Sequence, residues 1–500
     1  MRFNRFHLRI EHLWGMAVLI GIFVFINTHP IRPQDFWWHI TIGREILATG
    51  KIPGVDVYSY TAVGQPYPSY KMFWLMEIVL YEIFTLGGAA LIIFFYSIII
   101  TLAYGVIFWI CYDVSKNWRI AAAGLFFAAA LGLNDWNVRP QGITFLLASL
   151  FLLAIYQFKK RRHWGWLVTI PICMLVWVNS HGTFVIGLAL LGIWLAAEMW
   201  RALKKRLRDQ KSWDFQGIIA PAGILIITAM ACLANPGGLG IINYVKTLTG
   251  NSVVQNLVTE WAPPTFNTLI GTIFFAGLIF SAVALAVSVK QLDFYQAITF
   301  LIFGILGLRT LRGSVWFGLV MAPVLAEHIS YAVERFQKAN HKTQTAEGSR
   351  TINVIFVTVL LAMAMISLPW FKRSLPLPPA KAELLSNETP VTATQALLEL
   401  QPPRQVFNAM SFGSYLIWAA YPHYQVFIDS RIELFPDKVW LDYLNISNAN
   451  GDWRTLLNGY GVKTLMLSPV EQAGLVLAVQ GDGGWDLVYE DQTAMIFVKK

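Results

Sequence analysis

The stretch AALIIFFYSIIITLAYGVIFWICY, residues 89–112, decides the class of fold. It runs for 24 residues without a charged side chain, and about 20 apolar residues suffice for a helix to cross the hydrocarbon core of a membrane. Of all 500 residues, 56% are hydrophobic and only 13% are charged, against about 25% charged residues in soluble globular domains. The composition therefore excludes an ordinary soluble enzyme and indicates a polytopic membrane protein.

Apolar stretches of this kind recur along the first 371 residues. Eleven are predicted to cross the membrane as helices: 12–28, 89–112, 118–134, 141–158, 164–179, 183–200, 217–234, 267–289, 294–310, 313–331 and 351–370. The stretch 71–86 is apolar too, but Lys71, Glu77 and Glu82 interrupt it. These charges favour a helix that lies at the membrane interface over one that crosses.

The basic residues predict the orientation of the chain. Lys and Arg cluster at 159–162, 201–211 and 335–350, and cytoplasmic loops of membrane proteins carry an excess of both residues. All three clusters face the cytoplasm if the N-terminus is cytoplasmic and 71–86 does not cross. We therefore expect a multi-pass protein of the plasma (cytoplasmic) membrane, surrounded by membrane lipids, with its C-terminus outside.

Residues 372–500 differ from the rest in charge and pattern. They hold 10 Lys/Arg against 13 Asp/Glu, whereas residues 1–371 hold 28 against 16. The basic excess suits cytoplasmic anchoring loops rather than nucleic-acid binding. Short apolar runs alternate with turn residues and helical patterns in the tail. The sequence thus predicts a transmembrane domain, 1–371, with a large first outer loop, 29–88, and an extracytoplasmic mixed α/β domain, 372–500.

Most of the unusual polar residues fall at the outer membrane face in this topology. They are Asp35, His39, Arg44, Asp56, Asn134, Asp135, Arg139, Asn179, His181, Asn235, Glu260, Arg309 and Arg312. Carboxylates, imidazoles and arginines at one interface, beside an exported domain, predict a site for a polar, anionic substrate that enters from the membrane. For any single residue, the alternative is an ordinary solvated loop end.

The first outer loop carries the most informative motifs, namely DFWWH (35–39), GKIP (50–53) and DVYSYT (56–61). This pattern resembles the first outer loop of the oligosaccharyltransferase catalytic subunit, a membrane glycosyltransferase of the GT-C class. The resemblance implies that Asp35 is a catalytic and metal-binding residue. His39 matches the family's histidine position, as a catalytic candidate without a firm role.

Further matches follow in the order of the family. The resemblance implies that Asp135 supplies a second metal carboxylate and that Glu260, within VTEWAP (258–263), replaces the catalytic glutamate of a flexible outer loop. An arginine that contacts the donor's phosphate groups in the family is matched best by Arg312 and second by Arg309. The resemblance extends over most of the chain and implies a GT-C-like fold of about eleven transmembrane helices.

The last match also contains the main departure from the family. Residues 410–418, MSFGSYLIW, resemble the frame of the WWDYG motif, but Met410-Ser411-Phe412 stands where Trp-Trp-Asp reads the hydroxyl of an Asn-x-Ser/Thr acceptor. The resemblance therefore implies a relative of the same fold class rather than an N-glycosylation enzyme. A glycolipid or polysaccharide precursor is the favoured acceptor.

The residue types suit glycosyl transfer from a polyprenyl-phosphate sugar donor to an extracytoplasmic acceptor. Such transfer develops charge on the leaving phosphate, and a divalent cation or arginines would stabilise it. Oxygen ligands from Asp35 and Asp135, with Glu260 as a third candidate, suit Mg²⁺ or Mn²⁺. Asp35 would alternatively act as a general base on an acceptor hydroxyl. The residue types are consistent with both roles of Asp35, metal ligand and general base.

Three other residues are substrate-binding candidates, each with a plainer alternative. Asp56 belongs to the DVYSYT motif of the first outer loop. Arg139 would alternatively have no binding role, because it precedes a proline at the start of a span. His181 would alternatively be a turn residue. Asp429 and Arg431 are predicted to form a structural pair in the outer domain. Two rival functions remain: a transporter or flippase of lipid-linked sugars, which predicts ionisable residues at mid-bilayer, and a non-catalytic scaffold, which predicts carboxylates too far apart to share an ion.

Overall fold

The computed structural model describes residues 9–209, 216–242, 260–340, 349–374 and 376–500. The part that precedes the outer domain is mainly helical. Its helices are α1 (Ile10–Asn27), α2 (Asp35–Thr49), α3 (Tyr70–Ser115), α4 (Trp118–Gly132), α5 (Gly142–Arg161), α6 (Gly165–Val178), α7 (Phe184–Asp209), α8 (Gln216–Ala231), α9 (Leu269–Ala286), α10 (Phe294–Arg309), α11 (Gly313–Asn340) and α12 (Arg350–Ile366).

Each of the eleven stretches predicted as spans is largely helical in the structure. Seven of the described helices are long and apolar enough to cross a membrane, and α6, α10 and α12 are shorter apolar helices. The chain is a multi-pass α-helical membrane protein, as its composition indicates. The number of helices that cross, and the side on which each terminus lies, stay predictions.

A break inside α3 separates the predicted interface helix from the span that follows it. Gly87 and Gly88 depart from helical geometry, and Gly88 has a φ of 60°, which glycine adopts without steric cost. Before the break, Lys71 and Glu82 are exposed, whereas Glu77 is buried. One of the three charges that interrupt this apolar stretch thus points into the protein.

The core of the helical bundle lies where α3, α4, α5 and α11 pack together. Ile100, Leu125, Phe145 and Phe317, one from each helix, are fully buried there. Lipid tails are as apolar as these side chains, so close packing between helices, rather than exclusion of water, holds such a bundle together.

The C-terminal region forms the mixed α/β domain that its sequence predicts. Its sheet has the strand order β1-β2-β4-β3, with β1 parallel to β2 and the other pairs antiparallel. The strands are β1 (Val406–Asn408), β2 (Thr464–Leu467), β3 (Trp485–Glu490) and β4 (Met495–Lys499). The helices that follow α12 are α13 (Pro379–Ala382), α14 (Val391–Leu400), α15 (Met410–Ala419), α16 (Asp437–Ser447), α17 (Trp453–Gly459) and α18 (Ala473–Gln480).

This C-terminal domain, which we call the outer domain after its predicted location, shares a hydrophobic core with the predicted first outer loop. Trp38 and Tyr58 from the loop are buried in the same cluster as Phe407 and Phe427 from the domain. Backbone hydrogen bonds also join the two regions, with the N–H of Val426 donating to the carbonyl oxygen of Tyr58 at 3.0 Å. The loop therefore forms a packed platform that holds the outer domain against the ends of the membrane helices.

Candidate active site

The loop motif DFWWH places two of the predicted site residues on one face of a helix. Asp35 is the first residue of α2, where free N–H groups favour a negative charge. His39 follows four residues later, so it lies one turn along the same face. Phe36, Trp37 and Trp38, between them, are buried and anchor this turn in the protein.

Three loops bring two arginines to one glutamate beside Asp35. Arg139 donates to both oxygens of Glu260, at 2.7 and 3.0 Å, and Nε of Arg312 donates to Oε2 at 2.6 Å. Nε of Arg139 also lies 3.5 Å from Oδ2 of Asp35. We call these four residues the cavity cluster. The N–H of Arg312 donates to the carbonyl oxygen of Glu260, so backbone contact fixes these two loops together as well.

The charges of the cavity cluster determine its protonation. Burial alone would raise the pKa of Glu260, but the charges of Arg139 and Arg312 overcome it and hold that pKa well below its usual range. Burial likewise opposes the charge on Arg139, whereas Glu260 and Asp35 raise its pKa. Glu260 and Arg139 are therefore both charged at neutral pH.

The cavity cluster lines a cavity of about 470 Å³ between the membrane helices and the outer domain. Six predicted site residues line it: Asp35, His39, Arg139, His181, Glu260 and Arg312. Met410, Ser430, Ile432 and Glu433 form the wall contributed by the outer domain. The predicted gathering of carboxylates, imidazoles and arginines beside an exported domain thus corresponds to one cavity. Residues 258 and 259 of the glutamate motif lie outside the described residues.

Three predicted site residues, Arg309, Asp135 and Asp56, do not line the cavity. Arg309 is exposed in the last turn of α10, and its proposed contact with phosphate stays a prediction. Asp135 is buried in a short 3-10 turn next to α4, and its Oδ2 has no hydrogen-bond partner among the described residues. Burial, together with the charge on Glu260, raises the pKa of Asp135 to about 7.

Asp56 lies in a second group of charges, away from the cavity lining. Its Oδ1 accepts a hydrogen bond of 2.6 Å from Arg431, which also donates to Asp429 at 2.6 and 2.8 Å and to the hydroxyl of Tyr70 at 2.6 Å. We call Arg431, Asp56 and Asp429 the sealed cluster, because all three side chains are 0% exposed. The structural pair of Asp429 and Arg431 is confirmed. The structure corrects the predicted substrate contact of Asp56, since this carboxylate is enclosed in packed protein.

The predicted metal ligands do not form a metal site in this arrangement. Both oxygens of Glu260 accept hydrogen bonds from arginines, and Asp135 does not line the cavity. Within the described ranges, no group of three or more His, Cys, Asp or Glu side chains is placed to hold an ion. The residues therefore do not fit a divalent cation held by Asp35, Asp135 and Glu260, and no catalytic step below uses one.

Sequence reasoning missed the partner of His39. Glu77, from the first half of α3, lies with Oε1 2.9 Å from Nδ1 of His39, and it is 0% exposed. Gly43 permits this contact, because a Cβ there would lie 2.1 Å from the carbonyl oxygen of Glu77. The close approach of α2 to α3 thus brings the two side chains together. The sequence signal for this contact was Glu77 itself, a carboxylate inside an otherwise apolar helix.

Comparison with known proteins shows the fold. No protein-family model and no curated protein sequence matches the chain. The arabinofuranosyltransferase AftD from Mycobacteria has a similar structure, with a TM-score of 0.55 and 12% identity over 97% of this chain and 40% of that one. This chain therefore spans less than half the length of AftD.

Two further structures were found at slightly lower TM-scores. The oligosaccharyltransferase of Archaeoglobus fulgidus, in complex with Zn and sulfate, gives a TM-score of 0.49 and 13% identity over 96% of this chain and 73% of that one. ArnT from Cupriavidus metallidurans, bound to undecaprenyl phosphate, gives 0.48 and 12% identity over 97% of each chain. All three proteins are GT-C glycosyltransferases. The likeness to AftD, whose TM-score is above 0.5, confirms the predicted GT-C-like fold, and at 12% identity it concerns the fold alone.

Proposed function

We propose that this protein is a membrane glycosyltransferase that moves a sugar from a polyprenyl-phosphate donor to an extracytoplasmic acceptor. The cavity cluster is the observation that carries the proposal. Two arginines held by one half-buried carboxylate, beside a second carboxylate that is less engaged, provide both functions that such a transfer requires. These are stabilisation of a leaving phosphate and removal of a proton from the acceptor.

The arginines are suited to the phosphate. Each guanidinium has five N–H donors in a planar fork, and Glu260 occupies only some of those of Arg139 and Arg312. Glu260 thereby fixes the orientation of both side chains before the substrate binds. Donors that are already oriented stabilise developing charge without reorganisation, so we assign Glu260 the role of positioning residue for the two arginines.

Asp35 is suited to the acceptor. Its one ion-pair contact within the described residues is the long contact of 3.5 Å to Arg139, so its oxygens are available to a hydroxyl. In the proposed step, Asp35 takes the proton of the acceptor hydroxyl while the acceptor oxygen bonds to C1 of the sugar. The bond between C1 and the phosphate oxygen breaks, and the polyprenyl phosphate leaves with the electron pair. Asp35 thus acts as a general base.

The part of the cavity wall that the outer domain contributes supports one class of acceptor. Of the residues that replace Trp-Trp-Asp, Met410 lines the cavity, whereas Ser411 and Phe412 are buried. Methionine offers an adaptable apolar surface and no charge for the hydroxyl of an Asn-x-Ser/Thr peptide. This supports a glycolipid or polysaccharide precursor as acceptor. We expect no glycosylation of a sequon peptide above that of its Ser/Thr→Ala control when both are offered with a competent donor.

The test uses purified protein in lipid nanodiscs with a panel of radiolabelled polyprenyl-phosphate sugars and glycolipid acceptors. Asp35→Asn should abolish transfer while donor binding persists, because the side chain keeps its size and loses its basicity. Asp486→Asn is the matched control, since that carboxylate is 62% exposed on the outer domain. Normal turnover by Asp35→Asn would refute the assignment of Asp35.

Two other results would replace the proposal with one of its rivals. If reconstituted protein moved the lipid-linked sugar across a vesicle membrane without transferring it, the protein would be a flippase. If it bound donor but neither transferred nor moved any member of the panel, a non-catalytic scaffold with this fold would be supported.

A further inference from the structure

The ring of His39 is held in one orientation at the cavity wall. Its Nδ1 lies 2.9 Å from Oε1 of Glu77. The ring of Trp38 packs on it at a centroid distance of 3.6 Å, and Phe73 meets it edge-on at 5.0 Å. The remaining edge carries Nε2, which has no hydrogen-bond partner among the described residues, and His39 lines the cavity. The fold therefore holds Nε2 available for a ligand.

Glu77 determines whether this nitrogen donates or accepts. Its side chain is 0% exposed, and its Oε2 has no hydrogen-bond partner in the described part of the chain. An ionised carboxylate in such surroundings is strongly disfavoured unless a positive charge compensates it. Burial accordingly raises the pKa of Glu77 and lowers that of His39, whose pKa the charges of His181, Arg139 and Arg431 lower further.

The pair is therefore electrically neutral, which leaves two arrangements of its protons in which no buried O–H lacks an acceptor. If Glu77 is the protonated partner, its O–H donates to Nδ1 and the imidazole proton resides on Nε2. If the proton moves to Nδ1, the imidazolium still carries a proton on Nε2. In both arrangements His39 presents an N–H to the cavity. It would present a lone pair if the pair carried a net negative charge, or if the acid proton lay on Oε2, where a buried O–H would have no acceptor among the described residues and would cost the full desolvation penalty.

His181 also presents an N–H at Nε2 to the cavity, but a backbone contact rather than a carboxylate sets its tautomer. The backbone N–H of Thr183 points at Nδ1 of His181 at 3.1 Å, and a backbone N–H can only donate. Nδ1 is therefore an acceptor, and the proton of the neutral ring lies on Nε2. Burial lowers the pKa of His181 to about 3, with further contributions from Arg312 and Arg139. This ring is thus a neutral N–H donor at physiological pH.

The two rings and the two arginines surround one space. Phe73 contacts both imidazoles, at 5.0 Å from His39 and 5.3 Å from His181, and both histidines line the cavity with Arg139 and Arg312. Four donor groups that meet in this way match a ligand with several acceptor oxygens and negative charge. The phosphate diester of a polyprenyl-phosphate sugar has this chemistry, as does the polyprenyl phosphate monoester that leaves, whereas a sugar ring offers hydroxyls that must also donate.

We propose that His39 and His181 are a pair of N–H donors for the phosphate of the donor lipid, and that Glu77 is the positioning residue that keeps the Nε2 proton of His39 directed at it. This inference rests on the proposed function, since it specifies which part of the donor these residues bind. It assigns His39 a binding contact rather than the role of a general base.

Replacement of Glu77 by isosteres distinguishes these two roles of His39. The amide N–H₂ of Glu77→Gln donates to Nδ1 as the protonated acid does, so Nε2 keeps its proton. Glu77→Leu has no donor and releases the ring. A base that depends on a charged Glu77 would be lost in both variants, whereas an N–H donor would be retained in the first.

The experiment measures equilibrium binding of undecaprenyl phosphate to the full chain in nanodiscs, with undecaprenol as the uncharged probe. We expect Glu77→Gln to bind the phosphate within about twofold of the wild type, and Glu77→Leu to bind it about tenfold more weakly, the scale of one lost hydrogen bond. His181→Ala should weaken phosphate binding to a similar extent. Undecaprenol binding should be the same in all variants.

A pH series provides a readout that a merely structural role would not change. The proton of the pair is lost as the pH rises, so wild-type affinity should fall relative to that of Glu77→Gln, whose amide does not titrate. The phosphate is common to both proteins, as is Arg431, whose charge acts on both members of the pair. The other charged and titratable groups that face the site are also common to both, namely Arg32, Asp35, Tyr67, Arg139, His181, Glu260, Arg312 and Glu433. A ratio of affinities that does not change with pH would count against the proton-holding pair.

Two results would overturn the inference. One is a loss of phosphate binding in Glu77→Gln as large as in Glu77→Leu, with unchanged thermal stability. The other is a parallel loss of phosphate and undecaprenol binding, which would indicate general damage to the cavity. If Glu77→Leu fails to fold, Glu77→Gln and His181→Ala still decide the question. Because binding is measured without transfer, a failure of glycosyl transfer would leave this result independent.

Discussion

The sealed cluster and the cavity cluster use the same residue types for opposite purposes. In the sealed cluster, Nε and both terminal nitrogens of Arg431 are bonded to Asp56, Asp429 and Tyr70, and its side chain is 0% exposed. In the cavity cluster, Arg139 and Arg312 remain 19% and 22% exposed. An arginine whose donors are all engaged in dry protein holds structure together, whereas one with exposed donors can still bind a ligand.

The two clusters also join different parts of the molecule. Arg431 contacts Asp56 across 375 positions of sequence and so connects the outer domain to the first outer loop. The cavity cluster joins loops at the ends of membrane helices. A substitution in the first should therefore affect mainly stability, and one in the second mainly activity. The following predictions test this division, from the largest expected effect to the smallest.

Arg431→Met should produce the largest loss of stability. It leaves two buried carboxylates without their cation, and removal of one partner from a buried ion pair costs about 3–5 kcal/mol. Thermal unfolding in nanodiscs and protease release of the outer domain would measure the effect. Arg404→Met, at an exposed position of the same domain, is the matched control. A change below about 1 kcal/mol, as for an exposed ion pair, would show that the sealed cluster does not hold the domain in place.

Glu260→Gln should affect activity far more than stability. The neutral amide cannot hold two guanidinium groups, so the donors to the phosphate lose their fixed orientation. We expect turnover to fall about 10²-fold or more, the scale of one preorganised donor, while the melting temperature falls by less than it does in Arg431→Met. Transfer kinetics and thermal unfolding of the same preparation give both values. A large loss of stability with normal turnover would reverse the division between the clusters.

Arg312→Ala should weaken use of the donor more than Arg309→Ala does. Arg312 lines the cavity and contacts Glu260, whereas Arg309, three residues away, is exposed outside the lining. We expect the KM for the donor to rise about tenfold for Arg312→Ala, as for the loss of a charge-assisted hydrogen bond. The ratio of the two KM values is the measurement. Equal effects would indicate that phosphate contacts extend beyond the cavity.

The pH dependence of stability provides the smallest effect. The pKa of Glu260 in the folded protein lies below its ordinary value of 4.5, so its charge contributes stability that is present above that value and is lost as the pH falls toward the lowered pKa. The difference in melting temperature between wild type and Glu260→Gln should be constant from about pH 8 to pH 6 and should shrink below about pH 4.5. A difference that already shrinks near neutral pH would mean that the arginines do not stabilise this charge.

Local properties of the chain were predictable from the sequence. The helices α4 and α10 begin at their predicted first residues, and α5 begins within one residue of its predicted start. Asp35, singled out at the head of an aromatic motif, lies in the cavity lining, and its catalytic role stays a prediction. Helix formation, membrane crossing and motif matches depend on residues close together in sequence. They can therefore be predicted before the fold is known.

The sequence by itself determined that this is a membrane protein with a C-terminal α/β domain, and it singled out a set of polar residues as site candidates. Only the tertiary structure decided which of these polar residues meet. Asp35 and Asp56 both open an aromatic stretch of the same loop, yet one lines the cavity and the other is enclosed beside Arg431. Glu77 became the partner of His39 because Gly43 lets α2 and α3 approach closely. Such contacts depend on how helices pack across long separations in the chain, and apolar length and periodicity do not encode that packing.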